Sequence, residues 1–203
     1  MAGKGASAML TVENTLEWLA LFNQAIQTNQ AQLSALDTPI GDGDHGHNMA
    51  RGMTAVTEVL ADKAPTDVPA ILKLTAMNLI TKVGGAAGPL YGTAFLEMAK
   101  KSAETLEIAP LLSAGLAGVE KRGHATVGEK TLIDVWQPVI AQLEQGPLTA
   151  EAVTTAVEAT AALRATKGRA SYLGERSIGH VDPGAASSGY LFTTMLEAGI
   201  NHD

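Results

Sequence analysis

At 203 residues, 46% apolar but only 4% aromatic, the chain has the length for one domain with a sizeable core. Its 14 basic and 21 acidic residues give a net charge of −7, without the basic face a duplex nucleic-acid binder needs. The lack of cysteine excludes disulfides and thiolate metal sites, and no apolar run approaches the roughly 18 residues of a membrane span, so a cytoplasmic protein with neither nucleic acid nor membrane as partner is expected.

Plentiful Ala, Leu, Met and Glu favour helix over sheet. Residues 1–11 lack the apolar stretch of a signal peptide and read as a disordered or artificially added start, with the domain at 12–203. The first helix is expected near 12–35. After it comes Gly41-Asp42-Gly43-Asp44-His45-Gly46-His47-Asn48, with Asp37 upstream. Three short carboxylates in one Gly-rich turn offer hard oxygen ligands suited to Mg²⁺. A helix over 47–62 would start here and aim free N–H groups at an anion beside the metal. No zinc-type histidine spacing is present, which argues against a zinc hydrolase, and His45 beside Asp44 reads as an orienting or phosphate-contacting group rather than a nucleophile.

Met49, Met53, Val56 and Leu60 line one face of that helix; Leu72, Ala76, Leu79 and Val83 line the next, over 68–82. Gly84-Gly85-Ala86-Ala87-Gly88-Pro89 then leads into a helix over 89–105, and its small residues permit close backbone approach to a phosphate. Helices follow over 110–121 and 130–144, the latter on a stripe of Leu132, Val135, Trp136, Val139, Ile140 and Leu143. Trp18 and Trp136 read as core. A helix over 149–166 precedes a loop at 167–184, long enough for a lid or binding segment. There Arg169 is placed to fork onto phosphate, and Arg176 and Lys167 either join that field or pair with Glu175. Asp182-Pro183-Gly184 either presents backbone groups to a ribose or base or is simply the turn that feeds the last helix, over 185–200.

If consecutive helices run antiparallel, the loops 36–46, 83–88, 122–129 and 167–184 share one end. They hold nearly all the unusual chemistry, whereas the connections near 63–67, 106–109 and 145–148 are plain. One composite site at one end of a helical bundle is the expectation.

Four blocks carry a resemblance to a known family: Gly-Asp-Gly-Asp-His-Gly at 41–46, Gly-Gly-Ala-Ala-Gly-Pro-Leu-Tyr-Gly-Thr at 84–93, Gly-Glu-Lys-Thr-Leu-Ile-Asp-Val-Trp at 128–136, and Gly-Arg-Ala-Ser-Tyr-Leu-Gly-Glu-Arg-Ser at 168–177 followed by Asp-Pro-Gly. From about residue 12 to the end the chain resembles the nucleotide-binding L subunit of dihydroxyacetone kinases, of the phosphotransferase-system type. The resemblance implies an all-α, antiparallel eight-helix barrel with the nucleotide at one open end. It implies that Asp37, Asp42 and Asp44 hold two Mg²⁺ ions on ADP or ATP. By the same resemblance His45, Gly46, His47, Asn48, Ala86, Ala87 and Thr93 contact the nucleotide, Gly123 and Leu132 flank its base, and Asp182, Pro183 and Gly184 complete the site. Arg169 would be both a nucleotide contact and the catalytic cation. Many members carry Ser where this chain has Ala87. The implied partners are a dihydroxyacetone-binding K subunit and a phosphohistidine-carrying M subunit. Alternatives left open are the L subunit of an ATP-dependent kinase for a related ketose, a nucleotide-sensing module for a transcription regulator, and self-association into a homodimer.

Overall fold

A computed structural model describes residues 8–201. Among these residues eight α-helices form: α1 Val12–Asp37, α2 His45–Lys63, α3 Val68–Lys82, α4 Ala87–Lys101, α5 Ile108–Gly123, α6 Ile133–Leu143, α7 Ala150–Ala159 and α8 Pro183–Glu197. Two 3₁₀ segments, Thr160–Ala162 and Arg169–Ser177, lie between α7 and α8. Each helix packs on its neighbours in the chain, and α8 packs back on α1, so the ring closes. Short connections make neighbours antiparallel, and the result is the expected all-α barrel.

Local chemistry explains the helix starts. Thr11 and Asn14 exchange side-chain bonds with each other's backbone N–H at 3.1 and 2.7 Å, a capping box for α1. Asp67, Thr149 and Asp182 each accept a backbone N–H in the first turn of α3, α7 and α8. The core is the barrel's interior. Trp18, Phe22, Tyr91, Phe95, Trp136 and Phe192 are all fully buried. Trp136 meets Phe192 nearly edge-on at 5.2 Å, and Trp18 meets Phe95 at 6.0 Å; both tryptophans are core, as their spacing implied. Truncating either to Ala would cost about 3–5 kcal/mol.

Several expected boundaries move, each for a visible reason. The packed chain begins before residue 12: Met9 and Glu107 form an isolated bridge, and Leu10 is buried. Residues 1–7 of the expected loose start lie outside the described residues. α5 starts at Ile108 rather than the expected 110, and Pro110 falls in its first turn, where its missing N–H costs nothing. α6 starts at Ile133, not 130, because Lys130 takes a left-handed φ of 60° and Asp134 Oδ2 accepts the Thr131 N–H. α7 stops at Ala159, where the chain tightens into 3₁₀ geometry. The long loop is not structureless either. Arg169–Ser177 is 3₁₀, broken at Gly174, whose φ is 57°.

Candidate functional site

α1 ends at Asp37, whose carboxylate is 8% exposed and is the anchor of the acidic loop. Its Oδ2 accepts the backbone N–H of Asp44 at 3.0 Å and of His45 at 3.3 Å. This draws the start of α2 back to His45 from the expected 47. Asp44 itself, at the N-cap, makes no side-chain capping bond, so Asp37 supplies the cap from a distance. The loop closes over Asp37 only because residue 41 is glycine: a Cβ there would fall 2.0 Å from Asp37 Oδ1. Asp42 and Asp44 are exposed, and ligand oxygens of all three carboxylates lie within 4.8 Å of one another. Partial desolvation and the neighbouring charge of Asp44 hold the Asp42 carboxyl above the ordinary carboxylate range, although Arg169 pulls it down. A cation placed among them would relieve that crowding.

Arg169 reaches Asp42 Oδ2 at 2.9 Å. It gets there because the 3₁₀ segment is tied to the acidic loop by a small apolar cluster of Ile40, Ala165, Ala170 and Leu173. Ser177, fully buried, fastens the segment's far end: its Oγ accepts the Ala165 N–H and donates to the Gly174 carbonyl. Glu175 pairs with Arg164 at 3.6 Å and Lys167 with Glu129 at 3.8 Å, so the expected pairing of Glu175 with Lys167 or Arg176 is not the one formed.

Opposite the acidic loop, Gly84–Ala87 leads into α4, whose N-cap Ala86 has no side chain to satisfy the first N–H groups. They remain free for an anion. Deeper in, Leu90, Val119, Gly123, Ala125, Leu132 and Ile133 form an apolar wall. The whole is one cavity of about 460 Å³, apolar at one side and charged at its acidic rim. Residues from the α1–α2, α3–α4, α5–α6 and α7–α8 connections line it, and none from the other three does. The four rich loops do gather at one end.

Asp182 caps α8, its Oδ2 accepting the Ala185 N–H at 2.7 Å, and burial pushes its carboxyl up to about 7. Beside it lies Lys130, 1% exposed. Its Nζ donates to the carbonyls of Thr160 at 2.6 Å, Leu163 at 3.2 Å and His180. All three ammonium donors are thereby used, and Lys130 is not available to a phosphate. It staples the α5–α6 loop to the connection that carries Asp182. Burial also lowers the pKa of Lys130 and of His45.

Of the expected site residues, the cavity brings together Asp37, Asp42, Asp44, His45, Asn48, Ala86, Ala87, Gly123, Leu132, Arg169, Asp182, Pro183 and Gly184. Gly46, His47 and Thr93 are not in its lining. Gly46 faces α1, where an added Cβ would stand 1.9 Å from the Gln30 carbonyl oxygen. His47 is exposed and its Nδ1 meets Ser34 Oγ at 2.9 Å, also on α1. Thr93 packs its methyl toward Gly118 of α5. Sequence reasoning passed over Tyr91 and Lys130 as site residues, and Ser187 and Ser188 altogether. Tyr91 and Lys130 at least stood inside quoted blocks. A serine within a helix carries no signal in a single sequence.

The DAK2 domain pattern matches residues 39–197. The chain is 54% identical, over 93% of its own length and 98% of the relative's, to the Lactococcus lactis subsp. lactis "PTS-dependent dihydroxyacetone kinase, ADP-binding subunit DhaL". It is 43% identical to the Escherichia coli "PEP-dependent dihydroxyacetone kinase, ADP-binding subunit DhaL", over 90% of this chain and 95% of that one. Its fold matches, with a TM-score of 0.76 and 23% identity, 98% of this chain to 36% of the C. freundii dihydroxyacetone kinase solved with AMP-PNP and Mg²⁺.

Proposed function

The chain belongs to the DAK2-domain family, and from that premise we propose that it is the ADP/ATP-binding subunit of a multi-subunit dihydroxyacetone kinase. A phosphohistidine on an M subunit phosphorylates the bound ADP, and the phosphoryl then passes to dihydroxyacetone on a K subunit. The observation that carries this reading is the gathering of three carboxylates, an open helix N-terminus and Arg169 around one cavity at the barrel's end. Identity of 54% to a separate L subunit, against 30% to an L-erythrulose 1-kinase, favours this over the subunit of an ATP-dependent ketose kinase.

The donor set fits Mg²⁺, being three carboxylates whose oxygens lie within 4.8 Å of one another. Asp37, Asp42 and Asp44 would hold it, as two ions, and it would supply charge neutralisation on the phosphates. The rest falls to this chain's own groups. The free N–H groups of α4 at Ala86 and Ala87 receive an anionic oxygen; Ala87 adds no hydroxyl of its own. The apolar wall at Gly123 and Leu132 holds the base. Arg169, tethered by the Ile40 cluster, offsets charge on the transferring phosphoryl. The acceptor oxygen must approach in line at the open end, and a docked K subunit satisfies this while excluding water.

The test follows from what the cavity lacks. With ATP, Mg²⁺ and dihydroxyacetone, the isolated chain should form no dihydroxyacetone phosphate above background. A K subunit should permit at most one turnover when ADP stays bound, and sustained turnover should require a phosphohistidine donor. Many turnovers with K and free ATP alone would replace this reading with the ATP-dependent one.

A further inference from the structure

A line of hydrogen bonds runs from the cavity wall to the middle of the barrel. His45 Nε2 lies 2.9 Å from Ser187 Oγ, which lies 2.7 Å from Tyr91 Oη. Tyr91 Oη lies 2.8 Å from Ser188 Oγ, which lies 3.0 Å from Trp136 Nε1. The four residues behind His45 are all 0% exposed, so each polar hydrogen must find its acceptor within the protein.

Donor accounting gives the line a direction. An indole N–H only donates, so Trp136 donates to Ser188. The Ser188 hydroxyl has one remaining side-chain neighbour, Tyr91, and donates to it. Tyr91 donates to Ser187 at 2.7 Å in preference to the Gly184 carbonyl at 3.2 Å. Ser187 has two acceptors in reach, His45 Nε2 at 2.9 Å and the Gly184 carbonyl at 3.1 Å. That carbonyl already accepts the helical N–H four residues on, whereas Nε2 has no other partner among the described residues. Hydroxyls that each accept one bond and donate one also strengthen each other along the line.

We propose that Ser187 donates its proton to His45 Nε2, as the last step of a one-way chain Trp136, Ser188, Tyr91, Ser187, His45. The imidazole then carries its proton on Nδ1. Nδ1 makes no hydrogen bond within the described residues, and His45 lines the cavity. The partner of one ring nitrogen sets the tautomer of the other. An Nδ1–H offers a donor to an anionic oxygen, where a bare lone pair would repel it. Ser187, Tyr91 and Ser188 are thus positioning residues for His45. The consequence for nucleotide binding rests on the reading given above; the tautomer itself does not.

Two-bond proton–nitrogen correlation spectra of ¹⁵N-histidine protein at about pH 8.5, two units above an ordinary imidazole, decide the tautomer. The His45 signals are assigned by their loss in His45→Asn. The wild type should show an unprotonated Nε2 and a protonated Nδ1. Ser187→Ala should shift the proton toward Nε2, and Ser187→Thr should restore the wild-type pattern. A protonated Nε2 in the wild type, or an unchanged pattern in Ser187→Ala, overturns the proposal. By calorimetry, ADP should bind roughly three- to tenfold more weakly to Ser187→Ala. His45→Asn, whose amide nitrogen stands near Nδ1, should keep more of that affinity than His45→Gln, and equal losses overturn the proposal without reference to Ser187. If the wild type binds no ADP, the nucleotide reading falls while the ring spectra still judge the chain.

Discussion

The two ends of the barrel are closed by the same device, short turns between antiparallel helices, and they differ in what those turns leave unsettled. At the plain end the charges and caps are met locally. Lys63 pairs with Asp62 and Lys101 with Glu104, Asp67 caps α3, and Asn201 bonds the Leu148 backbone through both its amide and its carbonyl at 2.9 Å. At the cavity end three carboxylates crowd together, α4 begins without a side-chain cap, and a buried lysine lies beside the half-buried Asp182. Such a site costs stability that the plain end does not, and the cost is borne where a cation and an anion would relieve it.

The contrast can be broken most severely at Asp42. Asp42→Ala should abolish Mg²⁺-dependent nucleotide retention while far-UV circular dichroism stays unchanged; undiminished ADP binding by calorimetry would sink the metal role. Next comes Arg169. Arg169→Ala should slow phosphoryl transfer in a reconstituted assay by roughly ten- to a hundredfold, the worth of a charge-assisted bond, and more than Arg122→Ala, although both residues line the cavity. Equal losses would make Arg169 a surface charge. At the plain end the matching change is Asp67→Ala, which removes a cap accepting the Ala70 N–H at 2.7 Å. It should cost about 1 kcal/mol in denaturant unfolding and leave nucleotide affinity untouched, a result that a shared structural role for both ends would not produce.

The last effect is a pH slope. Asp182 has its folded pKa raised from 3.8 to about 7, so between those values the folded state binds more protons than the unfolded one. Stability then falls as pH rises through that window and levels off above it. Asp182→Asn retains an acceptor for the Ala185 N–H and should flatten the slope between about pH 4 and 7, read by urea midpoints. An unchanged slope would place the titrating group elsewhere.

How much of this was legible beforehand varies by residue. The Asp37, Asp42 and Asp44 cluster was, because carboxylates and glycines crowd one short stretch and the chemistry is carried by residue type. Gly46 and His47 share that stretch, yet they turn toward α1. Only the rotation of α2, set by Asp37 gripping its first turn, separates them from His45 and Asn48. Thr93 similarly sits a little beyond Tyr91 on α4, and the helix turn carries it to the α5 face.

The amino-acid sequence by itself determined the all-α class, the order of the helices and the end at which the unusual loops meet. Those follow from periodicity, breakers and the parity of antiparallel connections, which are local properties of the chain. Tertiary structure alone decided that Lys130 spends its charge on three carbonyls, that Arg169 stands beside Asp42, and that serines of α8 reach His45 through Tyr91. Each of these joins residues distant in the chain. Their chemistry depends on burial and on which donors remain free, and neither exists until the barrel closes.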